Sequence, residues 1–363
     1  MSADTPVPVP YTRFLDENGQ QVGDELPEFA QQPEPLAAMY RAMALTRSLD
    51  ARAVALQRTG SMGTYPSALG QEAIGVGAAS AMDADDVLVP TYREQSAMLW
   101  RGVTLQEMLR YWRGDERGCC YQAAPGHDFP ISVPIATQIL HAAGAAYALW
   151  LRRESRAVVS IFGDGASSKG DFYEAINFAG LWRLPVVFLL ANNQWAISVP
   201  RSRQSAAPTL AQKAWAAGFA GEQVDGNDVI AVRECVARAL AKARRGEGPT
   251  LIEALTYRLH DHTTADDASR YRSAEEVSAH WKEDPLVRLR AHLAALGAWT
   301  KADEQQLIEQ CNADVQAAVE AVLAEAPPPP EAMFDYLHAR LPEALAPQRR
   351  EVAAGARQGR RDD

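Results

Sequence analysis

Two short apolar segments on either side of one helix constrain the fold of this chain most. AVVSIF (157–162) is predicted to be a short buried strand, and LPVVFLLAN (184–192) is another, whose apolar residues are continuous. The residues between them fit a turn and a single helix. Continuous apolar character is typical of parallel strands that are buried on both faces. A third predicted strand, TLIEALTYRL (250–259), follows a helix rich in Ala and Arg. Strands alternating with helices predict an α/β protein with a doubly wound parallel sheet and helices on both faces.

Composition divides the chain into three parts. Residues 1–35 are rich in Pro, Gly, Gln and acidic residues, which predicts an extended N-terminal arm. Residues 36–325 hold the helical and strand patterns of the α/β domain. In residues 326–363 a run of prolines precedes one predicted short helix (331–341) and a tail that we expect to be disordered.

Charge and hydropathy exclude several classes of protein. The 36 basic residues against 46 acidic residues give a net charge of −10, which argues against a nucleic-acid or anionic-membrane surface. The longest apolar runs hold about eight residues, whereas a membrane span needs about 20. The N-terminus has no secretory pattern, and the four cysteines are too few for a disulfide framework. We therefore expect a cytoplasmic, acidic, soluble protein.

The turns after the first two strands carry the residues that predict chemistry. Gly163-Asp164-Gly165 follows one strand, and Asn192-Asn193 ends the next. Both turns fall at the carboxyl ends of parallel strands, where open α/β sheets bind their ligands. A carboxylate and a carboxamide oxygen suit Mg²⁺, and glycines together with a helix N-terminus suit a diphosphate. Either dipeptide alone is commonly just a turn, but their combination predicts a Mg²⁺–diphosphate site.

The GDG turn followed, after 26 residues, by NN resembles the thiamine diphosphate signature. Flanking motifs narrow the resemblance to the alpha subunit of the decarboxylating first component of 2-oxo acid dehydrogenase complexes, over about residues 36–325. These motifs are YRE (92–94), PIATQ (134–138), NNQWAIS (192–198), VDGND (224–228) and HDHTTADDASRYRS (260–273).

The resemblance implies specific ligands for thiamine diphosphate and its metal ion. Asp164, Asn193 and the main-chain carbonyl of Trp195 would bind Mg²⁺. The remaining cofactor contacts would come from Tyr92, Arg93, Ile135, Gly165, Ala166 and His262. In branched-chain members a potassium ion is held by residues that match Ser132, Pro134, Thr137 and Gln138. Two positions depart from the family pattern: Val133 replaces a common serine, and Ala191 replaces a frequent arginine.

His260 and His262 admit two interpretations. The HxH spacing on an extended chain can place both rings on one side for a metal, but no cysteine or ligand pattern lies nearby. The resemblance instead makes His262 the catalytic histidine that meets the diphosphate and assists acyl transfer. A side chain that titrates near neutral pH suits those proton steps.

The chain is predicted to need a partner. Thiamine chemistry uses one half-site for the diphosphate and another for the aminopyrimidine, and this sequence shows one α/β domain, of the first kind. The resemblance implies a beta subunit that supplies the second half-site, in a heterotetramer of two alpha and two beta chains. It also implies a lipoyl-bearing acyltransferase component that accepts the acyl group.

The sequence is compatible with more than one substrate and more than one functional class. The activity implied is oxidative decarboxylation of a small 2-oxo acid, with pyruvate favoured by TYPSALGQEA (64–73) and GEGPTLIEALTYR (246–258). Branched-chain 2-oxo acids are favoured by SVPIATQ (132–138), and acetoin-cleaving relatives are a further alternative. Other classes are a non-catalytic scaffolding subunit and a dinucleotide-dependent oxidoreductase. The latter lacks its glycine motif, because GDGASS has no third glycine.

Overall fold

A six-stranded parallel sheet forms the centre of the protein in a computed structural model that describes residues 9–23 and 25–362. The sheet order is β2-β3-β4-β8-β7-β1, and every pairing is parallel. β5 and β6 form a separate antiparallel pair. The strands are β1 (Tyr11–Thr12), β2 (Val87–Val89), β3 (Val158–Gly163), β4 (Val186–Asn192), β5 (Trp195–Ala196), β6 (Val199–Pro200), β7 (Gly221–Asp225) and β8 (Thr250–Leu255).

Helices cover both faces of this sheet, so the predicted α/β architecture is confirmed. They are α1 (Pro33–Arg58), α2 (Glu72–Ser80), α3 (Gln95–Trp100), α4 (Leu105–Trp112), α5 (Thr137–Arg152), α6 (Gly170–Trp182), α7 (Val229–Arg244), α8 (Ala274–His280), α9 (Pro285–Ala295), α10 (Lys301–Leu323) and α11 (Ala346–Asp362). No helix in the described part of the chain is long and apolar enough to cross a membrane.

Side chains along β3 alternate between two apolar cores. Val158 and Phe162 point into a core shared with α5 and α6. Val159 and Ile161 point to the opposite face, into a core shared with α7 and α10. Because successive side chains of a strand face opposite sides, a strand buried on both faces is mainly apolar along its whole length. This explains the continuous apolar segments of the sequence.

The N-terminal arm contributes an edge strand to the sheet and a buried side chain to the core. Its residues Tyr11 and Thr12 form the edge strand β1 beside β7, and Leu15 is fully buried. The Asp228 carboxylate accepts hydrogen bonds from the backbone N–H groups of Phe14 and Leu15, each at 2.7 Å. The expected extended arm is therefore incorporated into the sheet; residues 1–8 and 24 of that prediction lie outside the described residues.

The secondary structure of the C-terminal segment differs from the prediction. The prediction of a short helix over 331–341 is wrong. The helical structure in that segment is a 3₁₀ helix at Pro330–Phe334. The tail expected to be disordered forms α11 over Ala346–Asp362. Pro342 disfavours a helical conformation of the residue before it, whereas Pro347 lies in the first turn of α11, where a helix tolerates proline.

Candidate active site

The carboxyl ends of β2, β3, β4 and β8 converge on one cavity of about 190 Å³. Asp164 directly follows β3, and Asn193 directly follows the neighbouring β4. Arg93 lies between β2 and α3, and His262 lies in the segment after β8. Parallel strands bring these four residues to the same edge of the sheet, although they come from distant parts of the chain.

All nine residues predicted to bind the cofactor line this cavity. They are Tyr92, Arg93, Ile135, Asp164, Gly165, Ala166, Asn193, Trp195 and His262. Of the two adjacent histidines, His262 lines the cavity and His260 does not.

Oxygen atoms suited to a hard cation meet at the GDG and NN turns. Asp164 is 1% exposed, and burial raises the pKa of its carboxyl group above the usual range. Its Oδ2 accepts a hydrogen bond from the neutral Gln204 amide at 2.6 Å. The Oδ1 atom of Asn193 accepts from the backbone N–H of Trp195 at 3.2 Å. Among the described residues this carboxylate has no ion-pair partner within contact distance, and a carboxylate buried in this way favours a nearby positive charge.

Close packing against Ala196 requires glycine at position 165 of the cavity wall. A Cβ atom at Gly165 would lie 2.8 Å from the Cβ of Ala196, closer than packed carbon atoms approach. The turn that contains it is a 3₁₀ helix over Asp164–Ser168, which precedes α6.

Strained backbone conformations surround the cavity. Gln194 (φ 71°) and Ile197 (φ 54°) are left-handed in the segment that follows Asn193. Ala136 (φ 72°) is left-handed at the start of α5, next to Ile135. Non-glycine residues in this region cost about 1 kcal/mol each and cluster at functional sites. Three of the five left-handed non-glycine residues in the described part of the chain therefore lie in the two segments that carry Ile135 and Asn193.

Arg93 connects two segments at the cavity wall. Its Nη1 donates to the carbonyl of Ser67, and its Nη2 donates to the carbonyl of His262 at 2.9 Å. The Ser67 segment is itself held by buried Asp50, which accepts from the Ser67 hydroxyl at 2.7 Å and from the backbone N–H of Ala68 at 2.6 Å. Arg93 is therefore a fixed, buried cation at this site.

Two guanidinium groups face His262. Its Nδ1 atom lies 3.3 Å from a nitrogen of Arg93 and 3.3 Å from a nitrogen of Arg258. Burial, followed by the charges of these two arginines, lowers the pKa of His262 to about 3. Burial also lowers the pKa of Arg258 to about 10. The cavity thus combines a neutral histidine with concentrated positive charge, which suits an anionic ligand.

Of the four residues matched to a potassium site, one lines the cavity and three do not. Gln138 lines it, whereas Ser132, Pro134 and Thr137 do not. Both polar side-chain atoms of Gln138 are buried without a partner among the described residues. The backbone N–H of Thr137 donates to the carbonyl of Pro134 at 3.3 Å.

Sequence reasoning missed two residues at this site. Gln71 lines the cavity and hydrogen-bonds Asn193, but its segment reads only as the start of a small-residue helix. Arg258 precedes His262 by four residues, and the backbone carbonyl groups that it binds belong to the distant Trp195 and Ile197. The sequence could have indicated Arg258, because it lies only four residues before His262. For Gln71 the only indication in the sequence is its place directly before a helix.

A larger cleft, of about 840 Å³, opens at the carboxyl ends of β7 and β8. Trp195 lines both spaces, but Arg93, Asp164 and His262 do not reach the larger one. Size alone would select this cleft, whereas the nine residues predicted to bind the cofactor line the smaller cavity.

Comparisons with known proteins agree with the site. A family described as "Dehydrogenase E1 component" matches residues 40–331. A 3-methyl-2-oxobutanoate dehydrogenase subunit alpha from Mycobacterium tuberculosis is 43% identical over 338 residues, covering 91% of this chain and 88% of the relative. A pyruvate dehydrogenase E1 component subunit alpha from Staphylococcus aureus is 39% identical over 338 residues, covering 93% and 90%. The resemblance inferred from the motifs is confirmed, and the chain belongs to the dehydrogenase E1 component family.

Proposed function

We propose that this chain is the alpha subunit of a thiamine diphosphate- and Mg²⁺-dependent enzyme that oxidatively decarboxylates a 2-oxo acid. The acyl group would pass to a lipoyl carrier on an acyltransferase component. The observation that carries the proposal is the convergence of all nine predicted cofactor ligands on one cavity. A non-catalytic scaffolding subunit would have no need to keep Arg93, Asp164 and His262 together there.

The residues present fit the proposed metal ion and cofactor. Asp164, Asn193 and the carbonyl of Trp195 would hold Mg²⁺, and the cation would supply the charge that buried Asp164 lacks. Gly165 and Ala166 would lie against the diphosphate, and Ile135 against the rings. When bound, thiamine diphosphate supplies the electron sink for loss of CO₂.

The chain's own groups would act through charge and proton placement. Arginine only donates hydrogen bonds, so His262 keeps Nδ1 as an acceptor toward Arg93 and carries its proton on Nε2. His262 could therefore donate a hydrogen bond from Nε2 to an acceptor atom of the bound cofactor or substrate. Arg93 and Arg258 would offset the charge of the diphosphate, and that anion would in turn raise the pKa of His262 toward neutral.

Gln138 supports a proposed potassium site at the start of α5. Its buried polar atoms have no partner in the described structure, so a bound ion or its ligands would satisfy them. We propose that K⁺ binds through Ser132, Pro134, Thr137 and Gln138.

A partner subunit would cover the open side of the cavity. Ile135 and Ile197 line the cavity and are exposed, as are Val133 and Val199 nearby along the chain. Exposed apolar residues around a binding site are typical of a surface that another chain covers. We propose that the covering chain is the beta subunit, which supplies the aminopyrimidine half-site in a heterotetramer of two alpha and two beta chains.

Decarboxylation by the assembled enzyme tests the proposal. The chain is coexpressed with its partner chain, and kcat/KM is measured for pyruvate, 3-methyl-2-oxobutanoate and acetoin with a lipoyl acceptor. The motifs favour pyruvate, so we expect the highest kcat/KM with pyruvate. The 43% relative supports 3-methyl-2-oxobutanoate as the alternative. Turnover of none of the three compounds would contradict the proposed function.

A further inference from the structure

One buried amide at the cavity has a free hydrogen-bond donor. The Nε2 atom of Gln71 makes no hydrogen bond to any residue that the structure describes. Gln71 is buried, and it lines the cavity together with Asp164 and Asn193. Native proteins leave few buried polar groups unpaired, so a free donor at a binding cavity indicates a ligand atom that accepts from it.

The hydrogen-bond network fixes which end of the Gln71 amide is free. The backbone N–H of Trp195 donates to Oδ1 of Asn193 at 3.2 Å, so the NH₂ group of Asn193 points the other way. That NH₂ group donates to Oε1 of Gln71 at 3.2 Å. The oxygen of Gln71 is therefore occupied, and its NH₂ group is the end without a partner.

The backbone holds this donor in a fixed position. Gln71 directly precedes α2, and its N–H donates to the carbonyl of Ala68 at 2.8 Å. The adjacent Glu72 is fully buried, where it accepts from Arg47 at 2.8 Å and from the N–H of Gly70 at 2.9 Å. A donor fixed in this way is already oriented before a ligand binds.

The arginines of the cavity commit several of their donors to protein carbonyl groups. Arg93 donates to Ser67 and His262, and Arg258 donates to Trp195 and Ile197. These cations supply charge, but those N–H groups are already used. The NH₂ group of Gln71 adds a neutral, directed donor beside the arginine N–H groups that remain.

We propose that Gln71 has two roles toward the bound cofactor, an inference that rests on the proposed function. Its Oε1 holds the Asn193 amide so that Oδ1 stays turned toward the cation. Its Nε2 donates a hydrogen bond to a phosphoryl oxygen of the diphosphate. Gln71 is thus a positioning residue for the metal ligand and a direct ligand of the cofactor.

Two substitutions separate these roles. Gln71→Glu keeps an oxygen that accepts from Asn193 but replaces the free donor with a negative oxygen. Gln71→Leu removes both the acceptor and the donor. Gln212→Leu is the matched control, because Gln212 lies outside the cavity and its Oε1 accepts only from the backbone of Thr209, at 3.4 Å.

Binding is measured on the chain assembled with its partner chain. The two readouts are the dissociation constant of thiamine diphosphate at saturating Mg²⁺, from tryptophan fluorescence, and the Mn²⁺ concentration that gives half-maximal binding. Both Gln71 variants should bind thiamine diphosphate about tenfold or more weakly, as expected for loss of a hydrogen bond to a charged group. The Mn²⁺ requirement should rise for Gln71→Leu and not for Gln71→Glu, while Gln212→Leu matches the wild type.

Three outcomes are distinguishable. Thiamine diphosphate binding within twofold of the wild type in both Gln71 variants would overturn the donor role. An equal rise of the Mn²⁺ requirement in both variants would overturn the positioning role. Absence of binding by the wild-type assembly would instead contradict the proposed function itself. Thermal unfolding without cofactor accompanies each variant, because a purely structural role would change the unfolding temperature in proportion to the loss of affinity.

Discussion

The Nδ1 atom of His262 lies 3.3 Å from Nη2 of Arg93, so a proton acceptor faces a group that can only donate. Arg258 approaches the same nitrogen from a second side, also at 3.3 Å. The pair fixes the ring as the neutral Nε2–H tautomer and makes a second proton costly. The backbone N–H of His262 donates to Asp266 at 3.0 Å, which holds the segment in place. The histidine is therefore oriented before any ligand arrives.

The first prediction concerns the pH dependence of stability. The pKa of His262 is about 3 in the folded chain against an ordinary value of 6.5. Because the unfolded chain binds this proton more readily, His262 should lower the free energy of unfolding as pH falls from about 6.5 to about 3. Above pH 6.5 it should have no effect. Denaturant unfolding of the wild type and of His262→Gln across this range measures the difference.

The control for this prediction is a direct titration. The ring protons of His262, followed by NMR, should show no titration between pH 5 and pH 8 without cofactor. Thiamine diphosphate with Mg²⁺ should raise the midpoint, because the diphosphate offsets the two guanidinium charges. An ordinary midpoint near 6.5 in the cofactor-free chain would contradict the prediction.

Asp50 should be important for stability because it satisfies several buried donors at once. It accepts from the hydroxyl groups of Tyr65 and Ser67 and from the backbone N–H of Ala68. Asp50→Ala leaves these groups unpaired and should lower the free energy of unfolding by about 3 kcal/mol. Tyr65→Phe removes one of the three hydrogen bonds and should cost about 1 kcal/mol. Equal losses in denaturant unfolding of the two variants would refute this account of Asp50.

Asp228 should couple the N-terminal arm to α7. It caps this helix by accepting from the N–H groups of Ile230 and Ala231, and its second oxygen accepts from Phe14 and Leu15. Asp228→Ala should lower the free energy of unfolding by about 2–4 kcal/mol, since it removes a cap and leaves buried donors unpaired. It should also release the arm to limited proteolysis, followed by mass spectrometry. An arm that stays protected in the variant would show that β1 pairing alone holds it.

Assembly with a partner should depend on the exposed aromatic face of α5 and α6. The rings of Tyr147, Trp150 and Trp182 lie within 5.3–5.6 Å of one another, and Leu181 beside them is 74% exposed. Leu181→Lys should reduce assembly of the two-chain enzyme in size-exclusion chromatography with little change in the unfolding temperature of the chain. Leu337 has the same exposed fraction but lies apart from this face, so Leu337→Lys should assemble normally. Equal behaviour of the two variants would exclude this face as an interface.

The elements that the sequence predicted are those with strong apolar patterns. β3, β4 and β8 are buried on both faces, so their segments are mainly apolar, with buried polar side chains such as Ser160 and Glu253 as exceptions. β7 (GEQVD) was not predicted, because it is largely polar and lies near the sheet edge. The two residues of β1 carry no pattern at all. The helix α11 was missed because its arginine-rich composition resembles that of a disordered segment.

The candidate site was predictable to the extent that its residues sit in motifs. Asp164 and Asn193 follow apolar strands, so their meeting at one sheet edge follows from the fold. Arg258 is fully buried, and its partners Trp195 and Tyr271 come from separate segments that only the tertiary structure brings together. The free donor of Gln71 likewise exists only because Asn193 occupies its oxygen. Local sequence does not encode such contacts.

Mg²⁺-dependent binding of thiamine diphosphate to the assembled enzyme tests the central claim most directly, with Asp164→Ala against Asp171→Ala as the matched control. Asp164 is buried at the cavity, whereas the side chain of Asp171 is 40% exposed and lies outside it. We expect both variants to fold and assemble. Asp164→Ala should lose Mg²⁺-dependent binding by about 100-fold or more, because the metal loses its only carboxylate ligand, while Asp171→Ala should bind as the wild type does. Undiminished Mg²⁺-dependent binding by Asp164→Ala would contradict the assignment of this cavity as the cofactor site.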